Sequence, residues 1–216
     1  MGGRLTEQRI AQAALELIDA DGIDALSMRR LAQRLATAPM SIYTYFPDKE
    51  AVLDGAAQLL LAEIPTPPAD AHWRDAIGGT MRALREVALR HRNAAVLIHR
   101  FPPRTPDATA FVEVSYRSLR RAGFDELSTA RCYRAVAAYT LGSLDLELGE
   151  HFSVHLAPSE GADDSLASFA EQKLLPLART IKPVLREQDD ADEFEYGLDL
   201  IVDGFADAMA RVSKAG

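Results

Sequence analysis

Apolar residues recur along this chain with the period of a helix, not the alternation of a strand. Ile10, Ala13, Ala14, Leu17 and Ile18 form one stripe, capped by Thr6 and stopped by Gly22. Met28, Leu31, Ala32 and Leu35 form a second, shorter one. Leu53, Ala57, Leu60 and Leu61 mark a helix that starts at Asp48 and runs to about Ile64. Prolines 65, 67 and 68 end it and make a stiff joint. Further helical stripes run over 73–91 (Ile77, Met81, Leu84, Val87, Ala88), 93–99, 107–121, 126–150 and 193–212. Residues 151–165 are polar and carry Pro158 and Gly161, which predicts a loop. Residues 166–185 read as short helices broken by Pro176 and Pro183.

The stretch 27–49 breaks the rhythm of long helices. Ser27 suits an N-cap, because its hydroxyl accepts from a free N–H in the first turn. The 36–38 segment interrupts the apolar stripe, and Pro39 suits the first turn of a new helix, where its missing N–H costs nothing. That helix, roughly 39–45, is short. It exposes Ser41, Tyr43 and Thr44, while Ile42 and Phe46 point inward; Tyr45 stays open between edge and core. Pro47 stops it and Asp48 caps the next helix. Lys49 then sits in a first turn, where a cation opposes the helix dipole unless an anion pairs with it. A DNA phosphate is such an anion. So short a helix buries little, and a helix-turn-helix inserts its second helix into the major groove.

Here the residues carry a resemblance. Leu26-Ser27-Met28-Arg29-Arg30-Leu31-Ala32, then Ile42-Tyr43, Tyr45-Phe46, Lys49-Glu50 and Val52-Leu53, resemble the DNA-binding domain of the TetR family of bacterial transcriptional repressors. The likeness covers about residues 5 to 60. It implies an all-α fold: an N-terminal three-helix helix-turn-helix DNA-binding domain (1–47), a connecting helix (48–64) and a larger helical ligand-binding and dimerisation domain (65–216). It implies that Tyr43, Tyr45 and Lys49 touch phosphates and that Pro39, Met40, Ser41 and Thr44 face bases. Ser27, Arg29 and Thr37 complete the expected DNA-binding set. Ala36 departs from the pattern, since many members place Gly in the turn. If that position needs a positive φ, alanine costs about 1 kcal/mol there.

Charge sharpens this picture. The 216 residues carry a net charge of −8. Within 27–49, however, Arg29, Arg30, Arg34 and Lys49 face the single acid Asp48. The rest of the chain therefore repels DNA and leaves one basic face to dock. One cysteine, Cys132, excludes an internal disulfide and fits a cytoplasmic setting. No apolar run approaches the length that crosses a bilayer, so no membrane partner is expected.

The long helices at 126–150 and 193–212 carry wide apolar faces. They either fill their own core or pair with a second copy as a four-helix bundle. Two-fold symmetry matches a palindromic operator on double-stranded DNA. Leu144, Leu148, Leu198, Ile201, Val202, Phe205 and Met209 are the expected dimer seam. The stretches 139–142 and 194–199 resemble the tetracycline-repressor branch of the family, which implies a homodimer. A repressor also needs a site for a small-molecule inducer. Met81, Arg85, His99, Phe101, Phe111, Ser115, Tyr116, Tyr139 and Ser143 are the candidates for an apolar pocket with polar anchors. In the tetracycline-repressor branch a histidine near the place of His99 meets a magnesium–drug complex, but the residues flanking His99 differ, so tetracycline itself is not the expected ligand. Catalytic chemistry has little support: no glycine-rich phosphate loop follows a strand, no Gly-x-Ser-x-Gly elbow occurs, and nothing at the level of sequence marks a general base held by a partner. Glu147, His151 and His155 are four apart, but the intervening segment reads as loop, so neither metal nor cofactor is expected. The expectation is a ligand-released repressor, not an enzyme. The alternatives are an architectural DNA-binding protein without ligand, or an all-helical enzyme or carrier.

Overall fold

A computed structural model describes residues 4–149 and 189–215, with side chains as far as residue 210. Within them the chain is helical. The elements are α1 (Glu7–Asp21), a 3-10 turn (Ile23–Ala25), α2 (Met28–Arg34), α3 (Pro39–Tyr43), α4 (Lys49–Ala62) and α5 (Trp73–Arg90). They continue with α6 (Val96–Arg100), α7 (Pro106–Arg121), α8 (Glu126–Leu148) and α9 (Asp190–Ala215). The loop and short helices expected over 151–185 lie outside the described residues.

Local chemistry sets the ends of these elements. Thr6, Ser27, Asp48, Thr105 and Asp125 each cap a helix by accepting from the backbone N–H three residues on. Their side chains satisfy donors that the helix itself leaves without partners. The joint between α2 and α3 is a Schellman turn. Thr37 N–H donates to the Ala32 carbonyl at 3.0 Å and Ala36 N–H to the Gln33 carbonyl at 3.1 Å. This turn puts Ala36 at φ 51°, a left-handed conformation that favours glycine. The strain of about 1 kcal/mol is therefore present, and the surrounding turn holds it.

The core divides in two, but not at the 65–68 proline joint. One apolar cluster joins α1 to α4 with Leu84, Val87, Leu97, Phe101, Phe111, Leu144 and Leu148. It therefore runs through the DNA-binding unit into the body beyond. The second holds Trp73, Ile77, Met81, Leu119, Phe124, Val136, Phe194, Leu198 and Val202. α4 is the shared wall: it packs on α1 on one side and on α6 and α7 on the other. Burial of several fully enclosed large side chains in each cluster, at about 25 cal/mol per Å² of apolar surface, is the main force holding them.

Part of the expected dimer seam is turned into the chain's own core. Leu144, Leu148, Leu198 and Val202 are all buried inside the single chain. Ile201, Phe205 and Met209 pack against the same second cluster. The wide apolar faces of α8 and α9 thus close on α5 and on each other. What they leave outside is a narrower stripe: Ala138, Gly142 and Leu146 on α8, and Tyr196, Leu200 and Gly204 on α9. The α8–α9 crossing is close because Gly197 has no side chain. A Cβ there would lie 2.7 Å from Tyr139 Cε2, inside any normal contact. The Tyr139 hydroxyl donates to the Glu193 carbonyl at 2.9 Å across this crossing, and the ring stacks on Phe194.

Candidate nucleic-acid interface and the body behind it

α3 is held by one buried side chain, Ile42, which is 0% exposed. Around it, Pro39, Met40, Tyr43 and Thr44 face solvent, and Ser41 is half-buried. Met40 is 74% exposed. Thr44 donates back to the Met40 carbonyl at 3.3 Å. Thr37 is half-buried in the turn before the helix, and Ser27 uses its hydroxyl as the α2 cap, 3.2 Å from Arg30 N.

The two remaining tyrosine and lysine positions are tethered. The Tyr45 hydroxyl donates to the Leu5 carbonyl at 2.8 Å. It therefore anchors the segment before α1, and a phosphate contact by Tyr45 would require this bond to give way. Lys49 Nζ lies 3.4 Å from the Ile23 carbonyl, a weak restraint on a half-buried side chain. Of the other cations, Arg30 pairs with Asp21 and Arg34 with Glu16, both on α1. The Arg34 guanidinium holds the Glu16 carboxyl below its ordinary value. Arg29 is exposed and makes no ion pair among the described residues. The open cationic groups beside α3 are thus Arg29 and, with a slight rearrangement, Lys49.

The ligand candidates do not gather at one point. Met81 lies in the second cluster, while Phe101 and Phe111 lie in the first. Ser115 is buried, donating to the Phe111 carbonyl at 2.7 Å and bonded to Thr80 at 3.1 Å. Tyr116 lies outside, edge-on to Tyr133 with centroids 4.9 Å apart. Burial pushes the Tyr133 phenol well above its ordinary value. His99 is exposed on α6. Phe101, Phe111 and Ser115 take part in packing and hydrogen bonds within the chain, and Tyr116 and His99 are exposed. Arg85, Tyr139 and Ser143 remain together along the α5–α8 line. There Arg85 makes a two-pronged pair with Glu147 at 2.7 and 2.9 Å and stacks over Phe194 at 5.3 Å.

Sequence reasoning missed a polar stripe on α4. Glu50, Asp54 and Gln58 are four apart and face one side. Each grips the 100–105 segment behind α6: Glu50 pairs with Arg100 at 2.6 Å and Asp54 pairs with Arg104. Gln58, 8% exposed, uses its whole amide. Its oxygen accepts from Arg104 N at 2.7 Å and Thr105 N at 3.2 Å, and its nitrogen donates to the Pro102 carbonyl at 3.0 Å and to Asp54. The signal was in the spacing: three polar residues on one ridge of an otherwise apolar helix.

A short helix held by one apolar anchor, with bare side chains at its edge and a clamped helix behind it, describes a helix-turn-helix regulator. Comparison with known proteins agrees. Residues 10–56 match the family model for bacterial regulatory proteins of the tetR family, and 64–209 match the tetracyclin repressor-like C-terminal domain. The chain belongs to the tetR family of bacterial transcriptional regulators. It is 30% identical over 207 residues to the class A tetracycline repressor from transposon 1721 of Escherichia coli, covering 94% of this chain and 91% of that protein. It is 39% identical over 144 residues to an HTH-type transcriptional regulator of Saccharopolyspora erythraea, covering 66% of this chain and 61% of that one. Among solved structures, ActR of Streptomyces coelicolor in complex with (S)-DNPA matches with a TM-score of 0.79 at 26% identity, over 95% of this chain and 99% of that one. BioQ with its double-stranded DNA operator matches with a TM-score of 0.62 at 26% identity, over 94% and 99%. The family is one of regulators and not of enzymes.

Proposed function

We propose that the chain is a repressor that binds a palindromic operator as a homodimer and is released by a small hydrophobic or amphipathic molecule. The observation that carries this reading is α3: a helix whose one buried residue, Ile42, holds it while Met40, Ser41, Tyr43 and Thr44 are left at the edge. Met40, Ser41 and Thr44 would read base edges, and Tyr43 with the neighbouring Arg29 and Lys49 would meet phosphates. BioQ, a relative by structure, is known with a DNA operator, and ActR with a small molecule, which supports both halves of the proposal.

The homodimer is supported by the α8 and α9 stripes. Gly142 and Gly204 lie within helices, where glycine costs about 1 kcal/mol, and a Cβ at either would meet nothing within 4 Å among the described residues. A second backbone approaching closely is the natural use for them. Leu146 at 88% and Leu200 at 56% exposure would then be covered by the second copy. For release, the inducer would act on the α5–α8 line near Arg85, Tyr139 and Ser143, and the α4 stripe would pass the change to Lys49 and α3. The 65–216 part would thus serve both inducer and partner.

Three measurements on the purified protein test this together. Selection from random DNA fragments should return a palindrome. A small-molecule screen against that complex should find releasing compounds. Sizing should show a dimer that Leu146→Glu turns into a folded monomer. A non-palindromic consensus, or a Leu146→Glu protein that stays dimeric, would overturn the proposal.

A further inference from the structure

Tyr45 stands two residues past the end of α3, and its hydroxyl donates to the Leu5 carbonyl at 2.8 Å. The Leu5 side chain packs against the first apolar cluster, as does the Tyr45 ring. Bond and packing together hold the segment before α1 beside the end of α3. The residue before Leu5 is Arg4, which is exposed and makes no ion pair among the described residues. Consecutive Cα atoms are about 3.8 Å apart, so the Arg4 side chain starts one residue from the tie. Glu7, exposed in the first turn of α1, is the nearest acid in the sequence, so any attraction for an anion at this corner comes from Arg4 and not from the helix end. The other open cations lie at the opposite end of α1. Lys49 reaches the Ile23 carbonyl just past that end. Arg29 stands in the first turn of α2, next to Arg30, which reaches Asp21 and the Ala25 carbonyl. α1 has 15 residues, about 22 Å at 1.5 Å per residue. Its ends are therefore farther apart than the major groove is wide, about 12 Å.

With Arg29 and Lys49 alone, the reading unit would grip the phosphate backbone at one end only. We propose that Arg4 is a further phosphate contact, at the other end of the unit, and that Tyr45 is the positioning residue that holds it there. The proposal rests on the operator reading given above. Tyr45 acts through the Leu5 backbone, and its bond stays closed on the operator. Phosphate contacts carry no sequence information, but they fix orientation and register. Grips on two well-separated stretches of backbone fix the direction of α3 in the groove, whereas a grip at one end leaves it free to swing. The tie also orders the segment before DNA arrives, so less conformational freedom is lost on binding.

The test uses the full chain with its selected operator and with a duplex of arbitrary sequence, each variant being shown to be folded by its thermal melt. Arg4→Ala should weaken operator binding roughly fivefold at about 0.1 M salt and lower the salt slope by about 1. Arg4→Lys keeps the charge and should keep the slope. Tyr45→Phe keeps the ring and loses the hydroxyl. It should weaken binding roughly threefold, and Arg4→Ala added to it should cost roughly twofold or less. Without DNA, trypsin should cleave after Arg4 faster in Tyr45→Phe than in the wild type, because nothing then holds the Leu5 carbonyl. The inference is overturned if Arg4→Ala leaves slope and affinity unchanged, or if it costs as much in the Tyr45→Phe background as alone, which would give Tyr45 a phosphate of its own. It is also overturned if cleavage after Arg4 is equally fast with and without the hydroxyl. A wild type that selects no palindromic operator overturns the operator reading instead. The slope on the arbitrary duplex then decides the role of Arg4, since a phosphate contact needs no particular sequence.

Discussion

Replacing Gln58 by leucine removes the amide that binds α4 to the 102–105 backbone. The shape changes little, because the two side chains are close in volume. The hydrogen bonds change a great deal. Two backbone N–H groups, of Arg104 and Thr105, lose the Gln58 oxygen, and the Pro102 carbonyl loses its donor. At 8% exposure, water does not readily replace them. Each loss costs about 1 kcal/mol, for a total of roughly 3 kcal/mol. Greater apolar burial of leucine offsets about 1 kcal/mol of that. The net destabilisation is about 2 kcal/mol. Urea unfolding at fixed protein concentration reads this directly: with a slope of about 2 kcal/mol/M, the midpoint falls by roughly 1 M with the slope unchanged. Gln58→Glu is the control, because it keeps an acceptor for the two N–H groups while losing the donor to Pro102 and facing Asp54 with a second charge. The same leucine variant should bind inducer yet release operator less completely, since the α4 stripe is cut at its buried end. A midpoint shift below about 0.2 M, or an unchanged release curve, would refute this account of the clamp.

Lys49→Ala should weaken operator binding about evenly across sequences and lower the salt slope by about 1; unchanged slope and affinity would remove Lys49 from the backbone contacts. Ser41 or Thr44 substitutions should instead change which operator is selected, read by the same DNA selection. Gly197→Ala should lower the thermal midpoint, because overpacking against Tyr139 costs about 1–3 kcal/mol and exceeds the helix-propensity gain of about 1. Gly79→Ala, on an open face of α5, should raise it; the opposite order would contradict the α8–α9 crossing. Burial pushes the Cys132 thiol up to about 12, so it should resist a thiol reagent at about pH 8 in the native protein and react on unfolding.

The amino-acid order alone determined the helices and their ends, because these depend on near neighbours. Apolar period, the Ser27 and Asp48 caps, the strained Ala36 turn and Pro39 at a first turn are all read within a few residues. The α3 edge was legible for the same reason: so short a helix with one inward residue leaves the others bare. What a partner across space decides was not legible. Leu144, Leu148, Leu198 and Val202 have the apolar stripe of a dimer seam, but the α5 side of the same chain reaches them first. Tyr45 is spaced like a phosphate contact, but the Leu5 carbonyl, 40 residues earlier, takes its hydroxyl. Gln58 looks like an ordinary polar residue until the fold brings 100–105 beside it. Periodicity tells which side of a helix is buried. Only the tertiary structure says against what, because the answer depends on residues far away along the chain.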